Sequence, residues 1–150
     1  DDESSAAWNV RGRALLALKR SEEALRAFQE SVELDPENLH ALNNLGYVWI
    51  LHEDFQRARA YLDQAVVAAA SQGAGVPAHV LNNLGVALER LGELGNAHEA
   101  YAQAMEAGHP TAGLALARVG SHLAHLPQRE TRDTTLTAGG ETTAIQDGAN

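Results

Sequence analysis

Apolar residues recur along most of the chain at spacings of three and four, which is the period of a helix with one buried face. The pattern predicts seven helices, near residues 6–18, 21–34, 38–51, 54–70, 77–91, 94–107 and 110–125. Ala and Leu are abundant and aromatic residues make up only 5% of the chain, a composition that favours helix over strand. We therefore expect an all-α fold.

The predicted helices form pairs that repeat along the chain. Each pair carries a glycine inside its first helix, at Gly12, Gly46 and Gly85. The first two glycines are 34 residues apart and the second two are 39 apart, and the five extra residues fall in segment 70–78. The pattern predicts three helical hairpins, with an insertion that lengthens the fourth helix and the loop after it.

The three glycines need a structural reason, because glycine inside a helix costs roughly 1 kcal/mol relative to alanine. Close approach of a neighbouring helix, which a side chain would block, is the usual one. Each partner helix carries a small residue at a matching position, and these are Ala24, Ala58 and Ala97. We expect each glycine and its alanine to set the crossing of the hairpin. Large apolar residues on the repeat positions are interpreted as packing residues: Trp8, Phe28, Trp49 and Tyr101.

Turn-forming residues lie between the predicted helices. Asp35 and Pro36 have the character of an N-cap followed by the first helical residue, so we expect the third helix to begin there. Gly92 and Gly108 stand where helices end, as glycine often does.

A fourth first-helix pattern surrounds Gly120, but no second helix follows it. The helix at 110–125 is therefore interpreted as a cap over the open end of the third repeat, which solenoids need. After Pro127 the chain is rich in Thr and Gly, the composition of a flexible tail. We expect a domain at 1–127, with repeats at about 5–38, 39–76 and 78–110 and a capping helix at 110–125, and a tail at 128–150.

These repeated positions resemble the consensus of the tetratricopeptide repeat (TPR) family. The match is carried by Trp8, Gly12, Ala24, Phe28 and Pro36 in the first repeat and by the pairs Leu45-Gly46 and Leu84-Gly85 in the others. The first repeat departs from the pattern at Arg11 and Ser31. The resemblance implies an α-solenoid in which the hairpins form a right-handed superhelix. It also implies non-catalytic binding of an extended peptide or helix of another protein in a concave groove lined by the first helices.

The family's groove positions can be carried over repeat by repeat. In this chain they are Asn9, Arg13, His40, Asn43, Asn44, Tyr47, His79, Asn82, Asn83, Val86 and Arg118, with Ser121 as an extension of the row. Asn44 and Asn83 resemble the asparagine ladder of some TPR proteins, in which amides clamp a peptide backbone through paired hydrogen bonds. The alternative is that repeat copying spread a tolerated polar residue along a solvated face. Tyr47 is a plausible aromatic anchor in the same groove.

The resemblance also bears on the class of partner. Chaperone-binding TPR domains hold an acidic C-terminus with a clamp of basic and Asn residues, and of these only Asn44 matches; Asn9, His79 and Asn83 stand where basic residues are expected. Recognition of such a terminus is therefore not expected. The polar, Asn-rich groove is more similar to bacterial TPR scaffolds of pilus, secretion or motility assemblies.

Composition and motifs narrow the function further. A net charge of -9 argues against nucleic acid as a partner, and no apolar run reaches the length of about 18 residues that a membrane span needs. The chain has no cysteine, and His122 and His125 share a helix face without a third metal ligand. No phosphate-binding loop or catalytic motif is present, so we expect no cofactor, no metal and no enzymatic activity. Nothing in the sequence identifies the compartment.

Two alternatives to a groove-binding adaptor remain open. The repeats could form a structural module that assembles with copies of itself through the convex face or the open ends. They could also be a fragment that recruits substrates to a larger enzyme. A related hypothesis concerns the tail, in which Thr134–Thr137 and Thr142–Ile145 are short extended stretches that could lie in a groove of the same or another copy.

Overall fold

A computed structural model of the chain describes residues 4–127, and these form seven α-helices without a strand. The helices are α1 Ser5–Ala17, α2 Ser21–Leu34, α3 Leu39–Leu51, α4 Phe55–Ser71, α5 Ala78–Arg90, α6 Leu94–Glu106 and α7 Ala112–His125. Each begins and ends within two residues of its prediction from the sequence. The all-α fold class is confirmed.

The helices pack mainly against their neighbours in sequence. Three hairpins, α1–α2, α3–α4 and α5–α6, stack one on the next, and α7 packs on α6. The first helices also contact each other directly, since α3 packs on both α1 and α5. This arrangement places α1, α3 and α5 side by side, so their outward residues form one continuous face, which we call the groove face.

The core runs through the stack as a series of apolar clusters between successive helices. Phe28, Leu42, Leu62 and Tyr101 are its largest fully buried side chains. Trp49 is half-buried and packs against the clusters of both the first and the second hairpin. The large apolar repeat residues therefore act as packing residues along the stack.

The three helical glycines do lie against a neighbouring helix, but not against an alanine. A Cβ atom added at each glycine would overlap the side chain that stands 16 residues later in the chain. The distances would be 2.5 Å from Gly12 to Phe28 Cε1, 2.5 Å from Gly46 to Leu62 Cγ and 2.7 Å from Gly85 to Tyr101 Cδ1. The expectation that Ala24, Ala58 and Ala97 face the glycines was wrong, because the larger residue one helical turn further on occupies that space.

The start of α3 also differs from its prediction. Asn38 is the N-cap, and its side-chain oxygen accepts a hydrogen bond of 3.0 Å from the backbone N–H of Ala41. Asp35 instead ends α2, and its carboxylate accepts from the N–H of Glu37 at 3.1 Å. Asp35 and Pro36 thus form the turn that precedes the cap, because the side chain of Asn38 satisfies the exposed N–H group of α3.

Two predictions about helix ends and the insertion are confirmed. Gly92 and Gly108 follow the last turns of α5 and α6 with φ angles of +80° and +87°, which glycine adopts without strain. The helix α4 has 17 residues, against 14 in α2 and 13 in α6. The predicted tail at 128–150 lies outside the described residues, and the division into repeats at 5–38, 39–76 and 78–110 stays a prediction.

Ser31, which departs from the family pattern, is fully buried and has partners. Its hydroxyl donates to the carbonyl of Ser5 at 2.7 Å, and the Ser5 hydroxyl donates to the carbonyl of Ser31 at 2.8 Å. The amide of Asn38 donates to the Ser5 hydroxyl at 2.7 Å. This network ties the start of α1 to the end of α2 and to the cap of α3.

Three helices meet at the C-terminal end of the stack. The hydroxyl of Tyr101 in α6 donates to Glu89 in α5 at 2.9 Å, and Arg118 in α7 forms an ion pair with the same carboxylate at 2.6 Å. Val119 is buried beside them. Burial, followed by the hydrogen bond to Glu89, raises the pKa of Tyr101 well above its usual value. The helix α7 therefore covers the last hairpin through both apolar and polar contacts.

Candidate functional site: the groove face

A polar cavity of about 340 Å³ opens on the groove face. Side chains of α1, α3 and α5 line it, because helical spacing brings residues three and four apart to the same side of each helix. The lining residues are Asn9, Arg13, His40, Asn43, Asn44 and His79. All six belong to the predicted groove set, so the structure brings this part of the set together in one place.

The other predicted residues lie outside the cavity. Tyr47 is 40% exposed, and Asn82 is half-buried. Val86 is also half-buried and packs against the apolar cluster of the third hairpin. Arg118 is held by its ion pair with Glu89. The groove set therefore divides into a polar cavity and a more exposed remainder towards α7.

The asparagines pair across the helices. Asn44 donates from Nδ2 to Oδ1 of Asn9 at 2.8 Å, which links α3 to α1. Asn83 donates in the same way to Asn43 at 3.0 Å, which links α5 to α3. The acceptors Asn9 and Asn43 are almost fully buried, at 8% and 7% exposure. One role of these amides is therefore to join the first helices of successive hairpins.

The pairs leave hydrogen-bonding capacity for a ligand. A side-chain amide has two N–H donors and an oxygen with two lone pairs. In Asn44 the described hydrogen bond uses one donor, and the same holds for Asn83. Both side chains are only half-buried, so their remaining donors and their oxygens can reach a bound segment. The helix-joining role and the predicted ladder role are compatible.

Positively charged and titratable side chains surround the cavity. Arg13 and His40 are exposed, and His79 lies across from them. Of the described residues that line the cavity, none is acidic. Partial burial, and then the neighbouring His40 and His109, hold the pKa of His79 below its usual value. The cavity is therefore a local site for an anion on a chain whose net charge is -9.

The predicted groove set does not include His109. It lies in the turn between α6 and α7, close enough to His79 to lower its pKa. His40 and His79 occupy equivalent repeat positions, so the repeat pattern marks them. His109 has no such equivalent, and no periodic signal in the sequence could have identified it.

A second hollow of about 290 Å³ lies between the α2–α3 turn and α4. Its walls are mainly apolar, and Val67 beside it is 67% exposed. Glu37 and Asp63 stand at its rim. This hollow shares no lining residue with the polar cavity.

Two searches of residues 4–127 bear on other functions. No group of three His, Cys, Asp or Glu side chains in this part of the chain is arranged to hold a metal ion. Within the same residues, none of the helices has both the length and the apolar character of a membrane span.

Comparison with known proteins gives both a family and a fold. A family profile described as "Tetratricopeptide repeat" matches residues 9–74 and, overlapping them, 52–113. A search of the curated proteins found no significant match.

Several solved structures share the fold. The first TPR of Spaghetti (RPAP3), bound to the HSP90 peptide SRMEEVD, is 19% identical over 83% of this chain and 96% of its own, with a TM-score of 0.74. The Sgt2 TPR domain from Aspergillus fumigatus is 19% identical over 91% and 93%, with a TM-score of 0.71. MamA from Desulfovibrio magneticus RS-1 is 20% identical over 82% and 68%, with a TM-score of 0.70. At these identities the likeness concerns the fold.

Proposed function

Because the chain belongs to the tetratricopeptide repeat family, we propose that it is a non-catalytic interaction module that binds a segment of a partner protein on its groove face. The observation that carries this proposal is the cavity itself. Polar side chains of three successive first helices converge on it, and its asparagine amides keep donors and acceptors that no described neighbour uses.

The chemistry of the groove face suits a peptide main chain. Amides that both donate and accept can pair with the N–H and C=O groups of an extended segment, whatever its side chains are. Asn82 extends the polar row beyond the cavity, and Tyr47 offers an exposed aromatic ring with a hydroxyl. Such a ring is a common anchor at protein interfaces. We propose that the amides align the segment while Tyr47 packs on one of its side chains.

Two structures of the same fold support a groove that binds peptide. The first TPR of Spaghetti is bound to an HSP90 peptide, and the second TPR domain of human RPAP3 is in complex with an HSP70 peptide. Their identities to this chain, 19% and 17%, are too low to transfer a partner. The partner of this chain, and a place in a bacterial pilus, secretion or motility assembly, stay predictions.

The proposal can be tested with peptides selected from a random dodecapeptide library on the wild-type chain. The variant is the double substitution Tyr47→Ala, Asn82→Ala, since neither side chain makes a hydrogen bond within residues 4–127 and the fold should tolerate both changes. We expect affinity for the selected peptides to fall about tenfold or more, the loss typical of an interface anchor.

Val67→Ala, in the hollow beside α4, is the matched control. It removes an exposed apolar side chain from a different face and should leave peptide affinity unchanged. If the control loses affinity and the groove variant keeps it, the binding surface is the hollow and not the groove face.

A further inference from the structure

The polar cavity combines three positive or protonatable side chains with the absence of a carboxylate among its described lining residues. Arg13 makes no ion pair with any residue from 4 to 127. His40 and His79 stand on successive first helices and likewise have no described hydrogen-bond partner. A charge of this kind facing solvent, on a chain with net charge -9, is suited to an anionic group of a ligand.

We propose that the cavity binds a carboxylate side chain of an acidic peptide segment, and that it does so in mildly acidic conditions, when His40 and His79 carry protons. The proposal rests on the proposed function, because the acidic side chain belongs to the segment held on the groove face. It adds a class of ligand, a peptide with Asp or Glu at the cavity, and a condition under which that ligand is preferred.

The charged groups around His79 come from every element beside the cavity. Arg13 is contributed by α1, His40 by α3 and His79 by α5, while His109 stands in the turn before α7. All four become or remain positive as the pH falls, and none of the residues lining the cavity opposes them. Protonation of both lining histidines would raise the charge of the cavity from that of one arginine to three positive groups.

The mutual repulsion of these groups makes protonation depend on the ligand. Partial burial and the neighbouring histidines lower the pKa of His79, so that the empty cavity resists a second positive charge. A bound carboxylate removes that resistance by pairing with the imidazolium groups. Proton uptake and binding of an acidic segment are therefore coupled, while at neutral pH the asparagine amides dominate the cavity and favour uncharged segments.

The test uses the full chain and two capped octapeptides, one alternating Ser with Glu and the other alternating Ser with Gln. Binding is followed by NMR through the Cε1–H signals of His40 and His79 and the side-chain amide signals of Asn44. Near pH 5, where glutamate is mostly ionised, we expect the Glu peptide to bind about tenfold more tightly than the Gln peptide. Near pH 7.5, where free histidine is mostly neutral, we expect the ratio to fall to about threefold or less.

Variants assign the effect to the cavity. The double substitution His40→Gln, His79→Gln should abolish the pH dependence of the ratio. His122→Gln removes an exposed histidine of α7 and should keep it. A ratio that is the same at both pH values, or a pH dependence that survives in the double variant, would overturn the proposal.

Failure of this inference can be told apart from failure of the proposed function. Equal binding of both peptides at both pH values contradicts the carboxylate site but leaves a peptide-binding groove in place. If neither peptide shifts the signals of Asn44 or the two histidines at millimolar concentration, both proposals are contradicted.

Discussion

Gly12, Gly46 and Gly85 each lie beneath a large side chain of the partner helix. The repeat pattern identified these glycines as sites of close approach, but it did not identify what approaches them. Phe28 and its equivalents stand 16 residues after each glycine, whereas the predicted alanines stand 12 after. Which of these meets the glycine depends on how the second helix is rotated about its axis, and helical periodicity does not determine that rotation.

Substitution of Gly46 by Ala measures this contact. The new Cβ would lie 2.5 Å from Cγ of Leu62, a branched atom that cannot move away alone. Overpacking of this kind costs about 1–3 kcal/mol, which exceeds the gain of up to about 1 kcal/mol that alanine brings to a helix. We expect a net loss in the free energy of unfolding, measured by urea denaturation. Gly95→Ala in α6 is the control, because its Cβ meets nothing within 4 Å; equal gains in both variants would contradict the contact.

Pairs of helices show what could be predicted and what could not. The helix bounds follow from apolar periodicity, and the glycines after α5 and α6 from their positive φ angles. The groove set follows from the family's repeat positions, and six of its members do share one cavity. The pairing of Asn44 with Asn9 did not follow, because it depends on the offset between α1 and α3. That offset is a property of packing between hairpins, which no single helix encodes.

The asparagine pairs should therefore contribute to stability as well as to binding. In Asn44→Ala the nearly buried Oδ1 of Asn9 loses its donor, and an unsatisfied buried acceptor costs about 1–3 kcal/mol. Asn82→Ala removes an amide that makes no hydrogen bond within residues 4–127, so its cost should be below about 0.5 kcal/mol. Thermal unfolding followed by circular dichroism distinguishes the two. Equal stability of both variants would mean that the pair adds nothing to the contact between α1 and α3.

At the scale of the whole molecule, the stack is built from contacts between neighbouring helices, so its ends determine how far the ordered core extends. The C-terminal end carries an unusual polar junction for a cap. Glu89 accepts from Tyr101 and pairs with Arg118, so that one carboxylate joins α5, α6 and α7. This junction places an ionisable phenol inside the last part of the core.

The buried phenol should make the alkaline stability of the molecule depend on Tyr101. Burial and the hydrogen bond to Glu89 raise its pKa in the folded chain, whereas the unfolded chain has the ordinary value of about 10. The unfolded state therefore releases the proton first. The contribution of this group to stability is fully present below about pH 10 and is lost as the pH rises above it. Lys19 is the only lysine in the sequence, so few other groups titrate in that range.

Tyr101→Phe removes the ionisable group while keeping the ring that covers Gly85. We expect the variant to be less stable than the wild type near neutral pH, by about 1 kcal/mol for the lost hydrogen bond. Above about pH 10 its free energy of unfolding should fall less steeply with pH than that of the wild type, because no phenol is left to ionise at this position. Urea denaturation at a series of pH values gives both quantities. Tyr47→Phe removes an exposed hydroxyl and is the control; parallel curves for wild type and Tyr101→Phe would show that the junction opens before the phenol ionises, so that α7 does not seal the end of the stack.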